Sequence, residues 1–175
     1  MKRTIFLTTV VVSSITVFSC FAPNPAKEIK NKVYLDPSIK VLNFTANKNL
    51  EQVVNTTAQV LKLKNITVVC VPIVDEEERF LLGYIVPEDG FYLIKIQPGL
   101  YDDLLLEVCV HEFWHLKDYE SGDLERLEYG FKYKEFTYSF NTFYWDRPFE
   151  LSAYQNELRL KIEVSHKMNN PHCLN

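Results

Sequence analysis

Leu104-Leu105-Leu106-Glu107-Val108-Cys109-Val110-His111-Glu112-Phe113-Trp114-His115-Leu116 is apolar almost all the way round a helical projection. A helix of that composition is a buried one, and polar side chains inside it need partners to offset the cost of leaving water. His111 and His115 stand four residues apart, which places them one above the other on the same helix face, so both imidazoles can reach one cation. Glu112 directly follows the first histidine and is placed to work on a metal-bound water. The spacing predicts a helix from about residue 102 to about residue 119. Pro98-Gly99 breaks the preceding segment, Asp102 or Asp103 can cap the start, and Gly122 in Glu120-Ser121-Gly122-Asp123 is a natural stop.

Two histidines do not complete a catalytic zinc site, which takes three protein ligands and an open position for water. Downstream, Arg147-Pro148-Phe149-Glu150-Leu151-Ser152-Ala153-Tyr154 carries Glu150 and Ala153 in a Glu-x-x-Ala arrangement. With His111-Glu112-x-x-His115 ahead of it, the chain resembles the zincin metallopeptidases, in the branch whose third ligand is a Glu on a later helix. The resemblance implies one Zn2+ held by His111, His115 and Glu150, with Glu112 as general base for a zinc-activated water that hydrolyses peptide bonds. It also implies a side chain that stabilises the oxyanion, for which Tyr138, Tyr144 and Tyr154 are candidates. Pro148 suits a helix start and Asp146 can cap it.

Asp118 competes as third ligand, because it lies on the same helix face three residues after His115. Three ligands on one straight helix do not easily close round a tetrahedral ion, so the other readings are a hydrogen bond to the free ring nitrogen of His115 or a solvated helix end. Glu107, one turn before His111, carries the same ambiguity. The rival function is a catalytically inactive scaffold acting as a surface binding module. Glu112 argues against it, since a structural metal site needs no general base.

Around these motifs the chain reads as one α+β domain, 46–175, with a small, mainly antiparallel sheet. A helix begins near Asn49 and runs to about Lys64, and Ile66 to Val74 is β-branched and short, hence a strand that Pro72 pushes toward an edge or a bulge. Arg79 to Val86 and Phe91 to Ile96 flank Pro87-Glu88-Asp89-Gly90 as a hairpin. A Tyr/Phe-rich connection with one or two short elements precedes a last helix from Pro148 to about Lys167. The resemblance adds an antiparallel edge strand, beside the metal helix, that binds an extended peptide.

The first residues bear on address. Met1-Lys2-Arg3, then the uncharged Thr4 to Ser19, reads as a bacterial-type signal peptide over 1–19. It ends at Val17-Phe18-Ser19-Cys20, which resembles a lipoprotein signal with Cys20 lipidated, followed by a tether over 20–45. That implies an exported protein anchored to a bacterial membrane; the alternative is cleavage near Ala22 and secretion. Cys70 and Cys109 sit in apolar runs as buried thiols, and with Cys173 the three cannot all pair within one chain. Loss of Lys2 and Arg3 with the signal would lower the formal net charge from −4 to −6, and no basic patch suggests a nucleic-acid partner.

Overall fold

The computed structural model describes residues 35–170 other than Arg79. Its order is β1 (Ile39–Asn43), α1 (Leu50–Val60), β2 (Ile66–Pro72), β3 (Gly83–Glu88), β4 (Phe91–Ile96), α2 (Asp102–Ser121), β5 (Leu124–Leu127), β6 (Gly130–Tyr133), β7 (Phe136–Ser139) and α3 (Pro148–Asn169). One-turn 3-10 helices lie at Glu76–Glu78 and Tyr144–Asp146. The class is α+β, as expected.

The main sheet departs from expectation. Its order is β1-β2-β4-β3, with β1 and β4 both parallel to β2, and only the β3–β4 hairpin antiparallel. The sheet is therefore mixed rather than mainly antiparallel. β1 arises from Ile39–Asn43, inside the stretch read as a tether, so folded structure begins earlier than residue 46. Its neighbours hold it there: the buried Asn55 of α1 accepts from the Asp36 amide at 2.9 Å and donates to the Asp36 carbonyl at 3.2 Å. β2 is accordingly central, and Pro72 is tolerated because it is the strand's last residue.

One face of this sheet is apolar. Ile66, Val68, Cys70, Ile85, Ile94 and Ile96 are buried against the three helices in one continuous core. Cys70 and Cys109 are both buried free thiols, and burial pushes Cys70 up to about 12. Gly83 of β3 packs directly on α2: a Cβ there would lie 2.5 Å from Val108 Cγ1 and 3.2 Å from the Lys95 carbonyl oxygen.

α2 spans the predicted stretch and ends at Gly122, which takes the left-handed conformation at φ 76°. The expected Asp caps are not made: Tyr101 is the N-cap, and Asp102 accepts a hydrogen bond from Asn49 instead, tying the starts of α1 and α2 together. Nor does Asp146 cap α3, whose N-cap is Arg147 with no side-chain cap bond. The aromatic connection is richer than anticipated. β5, β6 and β7 form an antiparallel meander with its own small core of Leu124, Tyr133 and Phe149. Buried Arg147 donates to the carbonyls of Thr142 and Phe140 at 2.9 and 2.8 Å, fastening the end of that meander to the start of α3.

Candidate metal centre

α2 supplies His111 and His115 from one stripe, and the first turn of α3 supplies Glu150. All three are almost wholly buried, at 4 %, 6 % and 3 % exposure. Ala153, fully buried one turn beyond Glu150, gives α3 the small contact that lets it lie close to α2, and Trp114 donates to Ser152 across the same seam at 3.0 Å.

The donor atoms form a nearly equilateral triangle. His111 Nε2 and His115 Nε2 are 3.3 Å apart, and Glu150 Oε2 lies 3.4 Å from the first and 3.0 Å from the second. Ligand atoms about 2.0–2.1 Å from a tetrahedral ion stand roughly 3.3 Å from one another. Two imidazole nitrogens and a carboxylate oxygen at these separations thus have the chemistry and spacing of a cation site. Among the described residues, His111, His115 and Glu150 are the group so arranged. Asp118 is not part of it.

The metal-free charges are consistent with mutual attraction. Burial alone would lower His111, but its hydrogen bonds to the Glu150 and Glu157 carboxylates outweigh it and push the imidazole up to about 10. Burial likewise opposes ionisation of Glu150, yet the two histidines hold its carboxyl well below the usual carboxylate range. Glu112 behaves differently. It is buried beside β3, and burial pushes its carboxyl up despite the nearby histidines. A carboxylate outside the donor triangle, with raised proton affinity, has the properties of a general base.

Two pockets touch Glu112. One runs past Ile85, His115 and Phe149; the other lies between Leu82, Val108 and His111.

The remaining site candidates divide. Tyr144, in the 3-10 turn before α3, brings its hydroxyl to 3.4 Å from His111 Nε2. Tyr154 does not approach in this way: the inward stripe of α3 runs through Glu150, Ala153, Leu160 and Val164, and Tyr154 is turned out of it, half exposed, with its ring edge-on to Trp145. Tyr138 packs against Phe149. Asp118 is buried and feels the charge of His115, but the expected hydrogen bond is not made, since His115 Nδ1 and Asp118 Oδ2 are each buried without a partner. Glu107 pairs with Lys161 at 3.1 Å, bridging α2 to α3.

Sequence reasoning overlooked Glu157. Its Oε2 lies 3.4 Å from His111 Nδ1, so His111 is held between two carboxylates of α3. The signal was present, because Glu157 follows Glu150 by seven residues, two helical turns on nearly the same face. Cys20, the signal and Cys173 lie outside the described residues. Among those residues, no helix is long and apolar enough to cross a membrane. No protein-family model, curated protein or solved structure matches the chain.

Proposed function

We propose that the protein is a zinc-dependent metallopeptidase of the zincin kind. The observation that carries this reading is the buried triangle of His111 Nε2, His115 Nε2 and Glu150 Oε2, with Glu112 beside it and outside it. A zinc ion held by those three residues would supply Lewis acidity, polarising a peptide carbonyl and easing deprotonation of water. The chain's own contribution is proton management. Glu112 accepts a proton on its carboxylate as the water oxygen adds to the carbonyl carbon, and passes it to the amide nitrogen as the C–N bond breaks. Packing beside Gly83 places that carboxylate against β3. Glu157 steadies the His111 ring from the far side.

An extended peptide is the substrate class that suits the surroundings. β3 is an edge strand of the sheet, and its Tyr84 and Ile85 line one of the two pockets that touch Glu112. A peptide laid beside such an edge pairs its backbone and sends alternate side chains into pockets. Export with a lipid anchor on Cys20 is part of the same proposal and rests on the sequence; Cys20→Ser should move the protein from the membrane to the soluble fraction.

The decisive assay is cleavage of a panel of unstructured proteins with and without chelator. Glu112→Gln should retain its metal and lose chelator-sensitive cleavage by about a hundredfold or more. Full activity in that variant would reject Glu112 as the base. Absence of chelator-sensitive cleavage by the wild type would favour a binding module instead.

A further inference from the structure

The outer side of α3 carries apolar side chains where a solvated helix carries polar ones. Leu151, Tyr154, Leu158 and Ile162 are all exposed, Leu158 and Ile162 at 71 % and 61 %. Their spacing brings them within about 80° of one another round the helix, in a stripe about 17 Å long, and Glu157 and Glu163 fall outside it. Exposed Trp145 sets its ring edge-on to Tyr154 at 5.6 Å, so the patch continues onto the 3-10 turn ahead of the helix. The opposite side of α3, with Ala153, Leu160 and Val164, is in the main core. The helix is therefore apolar on two sides, and one of them has no cover among the described residues.

Two further observations name the occupant. The first is where the chain enters. The Asp36 carboxylate stands near enough to Lys167, in the last turn of α3, for each charge to act on the other. The roughly 15 residues from Cys20 to Leu35 span at most about 50 Å, so a lipid on Cys20 keeps α3 within reach of the bilayer. The second is the chemistry of the patch. Trp and Tyr each join an apolar ring to one polar group, which suits the boundary between headgroups and acyl chains, and Leu and Ile suit the acyl side. A helix with such a side lies in the plane of the bilayer, about 5–10 Å deep.

We propose that the outer stripe of α3, together with Trp145, docks on the lipid bilayer to which Cys20 tethers the chain. The inference rests on the Cys20 anchor proposed above and adds how the domain sits on it. A tether alone leaves the domain free to turn, whereas the stripe fixes one orientation. Trp145 adjoins Tyr144, whose hydroxyl approaches His111, so a docked α3 holds the candidate metal centre at the membrane surface. Polypeptide within reach of that surface is then what the site meets. The chain is acidic overall, at a formal −4, so the attraction is apolar and is not screened by salt.

Trp145 itself is the probe. The full chain is expressed with its leader and reconstituted into phosphatidylcholine vesicles, with or without bromine on the acyl chains near the headgroups, which quenches indoles that enter the bilayer. Wild-type emission should fall at least about twofold in the brominated vesicles, and should do so equally in about 1 M salt. Trp145→Phe should lose most of that fall, because Trp114 is buried, with Lys117 over its ring. Leu158→Glu combined with Ile162→Glu should lose it too, with the circular dichroism spectrum and anchored vesicle association unchanged. Vesicle-bound wild type with no quenching overturns the docking and leaves the anchor standing, and this needs no variant to fold. Quenching that survives the double substitution overturns the part given to the stripe. A dimer that the double substitution dissociates, with Trp145 unquenched, overturns the proposal in favour of a second copy of the chain. Failure of the wild type to join vesicles at all overturns the anchor and the docking together. None of these readouts depends on catalysis, so they leave the peptidase reading to its own assay.

Discussion

His111 is the residue on which most of the local physics converges. Without a metal its imidazole is pushed up to about 10, because the imidazolium can donate from Nε2 to Glu150 and from Nδ1 to Glu157. A metal takes neutral imidazole, so binding at neutral pH must expel that proton. Calorimetric zinc titrations in buffers of different ionisation enthalpy should therefore report release of about one proton per ion from this residue. Heats that do not depend on the buffer would contradict the protonated His111. The same pairing shapes metal-free stability, with the sign set by each group's shift. The raised His111 contributes fully below the free imidazole value near 6.5 and loses that contribution as pH rises through about 10. The lowered Glu150 contributes above the free carboxyl value near 4.5 and loses it as pH falls. Chelated protein should accordingly lose melting temperature toward both ends of this range, and a melting profile that keeps rising toward pH 10 would oppose the assignment. Glu157→Gln keeps the shape of the side chain and removes its charge. It should weaken zinc binding by about ten- to a hundredfold, measured by competition, with the fold unchanged by circular dichroism.

At the scale of elements, the pairing of α2 with β3 decides whether Glu112 faces a usable edge. Gly83 permits that approach. Gly83→Ala would drive a methyl against Val108 and the Lys95 carbonyl, and should cost about 1–3 kcal/mol in denaturant unfolding. A fully stable Gly83→Ala protein would mean that β3 can move off the helix freely. Asn55 has a comparable role for β1: losing its buried bonds in Asn55→Ala should cost about 1–3 kcal/mol. These two positions also explain what the sequence could and could not reveal. α2 was legible because its apolar run, its histidine spacing and Gly122 agree with one another. α3 was legible from Pro148 and the Glu150–Ala153 spacing. β1 was not, because Ile39–Asn43 is only five residues long and its place depends on the tertiary hold of Asn55. Without β1 the helix α1 could not be read as a crossover, so the parallel character of the sheet stayed hidden.

For the whole molecule, two cores meet at the candidate metal centre. The larger lies between the main sheet and the three helices; the smaller gathers the β5–β7 meander round Phe149, whose ring sits 5.9 Å from that of His115. Glu150, the next residue, thus belongs to a helix whose first turn is fixed from both sides. The ligand pair on α2 could be read from local spacing, and Glu150 from a motif. The support given by Arg147 and Phe149 could not, because it depends on how distant segments pack, whereas Glu157 was readable from its two-turn spacing from Glu150. A cation joining α2 to α3 at this junction should stabilise the fold as a unit, by about 4 kcal/mol when free zinc is a thousandfold above its dissociation constant. The most direct test of the account is the zinc content of purified wild-type protein beside that of Glu150→Ala, by elemental analysis. The account predicts one zinc per chain in the wild type and a steep fall in the variant. Equal zinc in the two proteins, or none in the wild type under zinc-replete conditions, would contradict it.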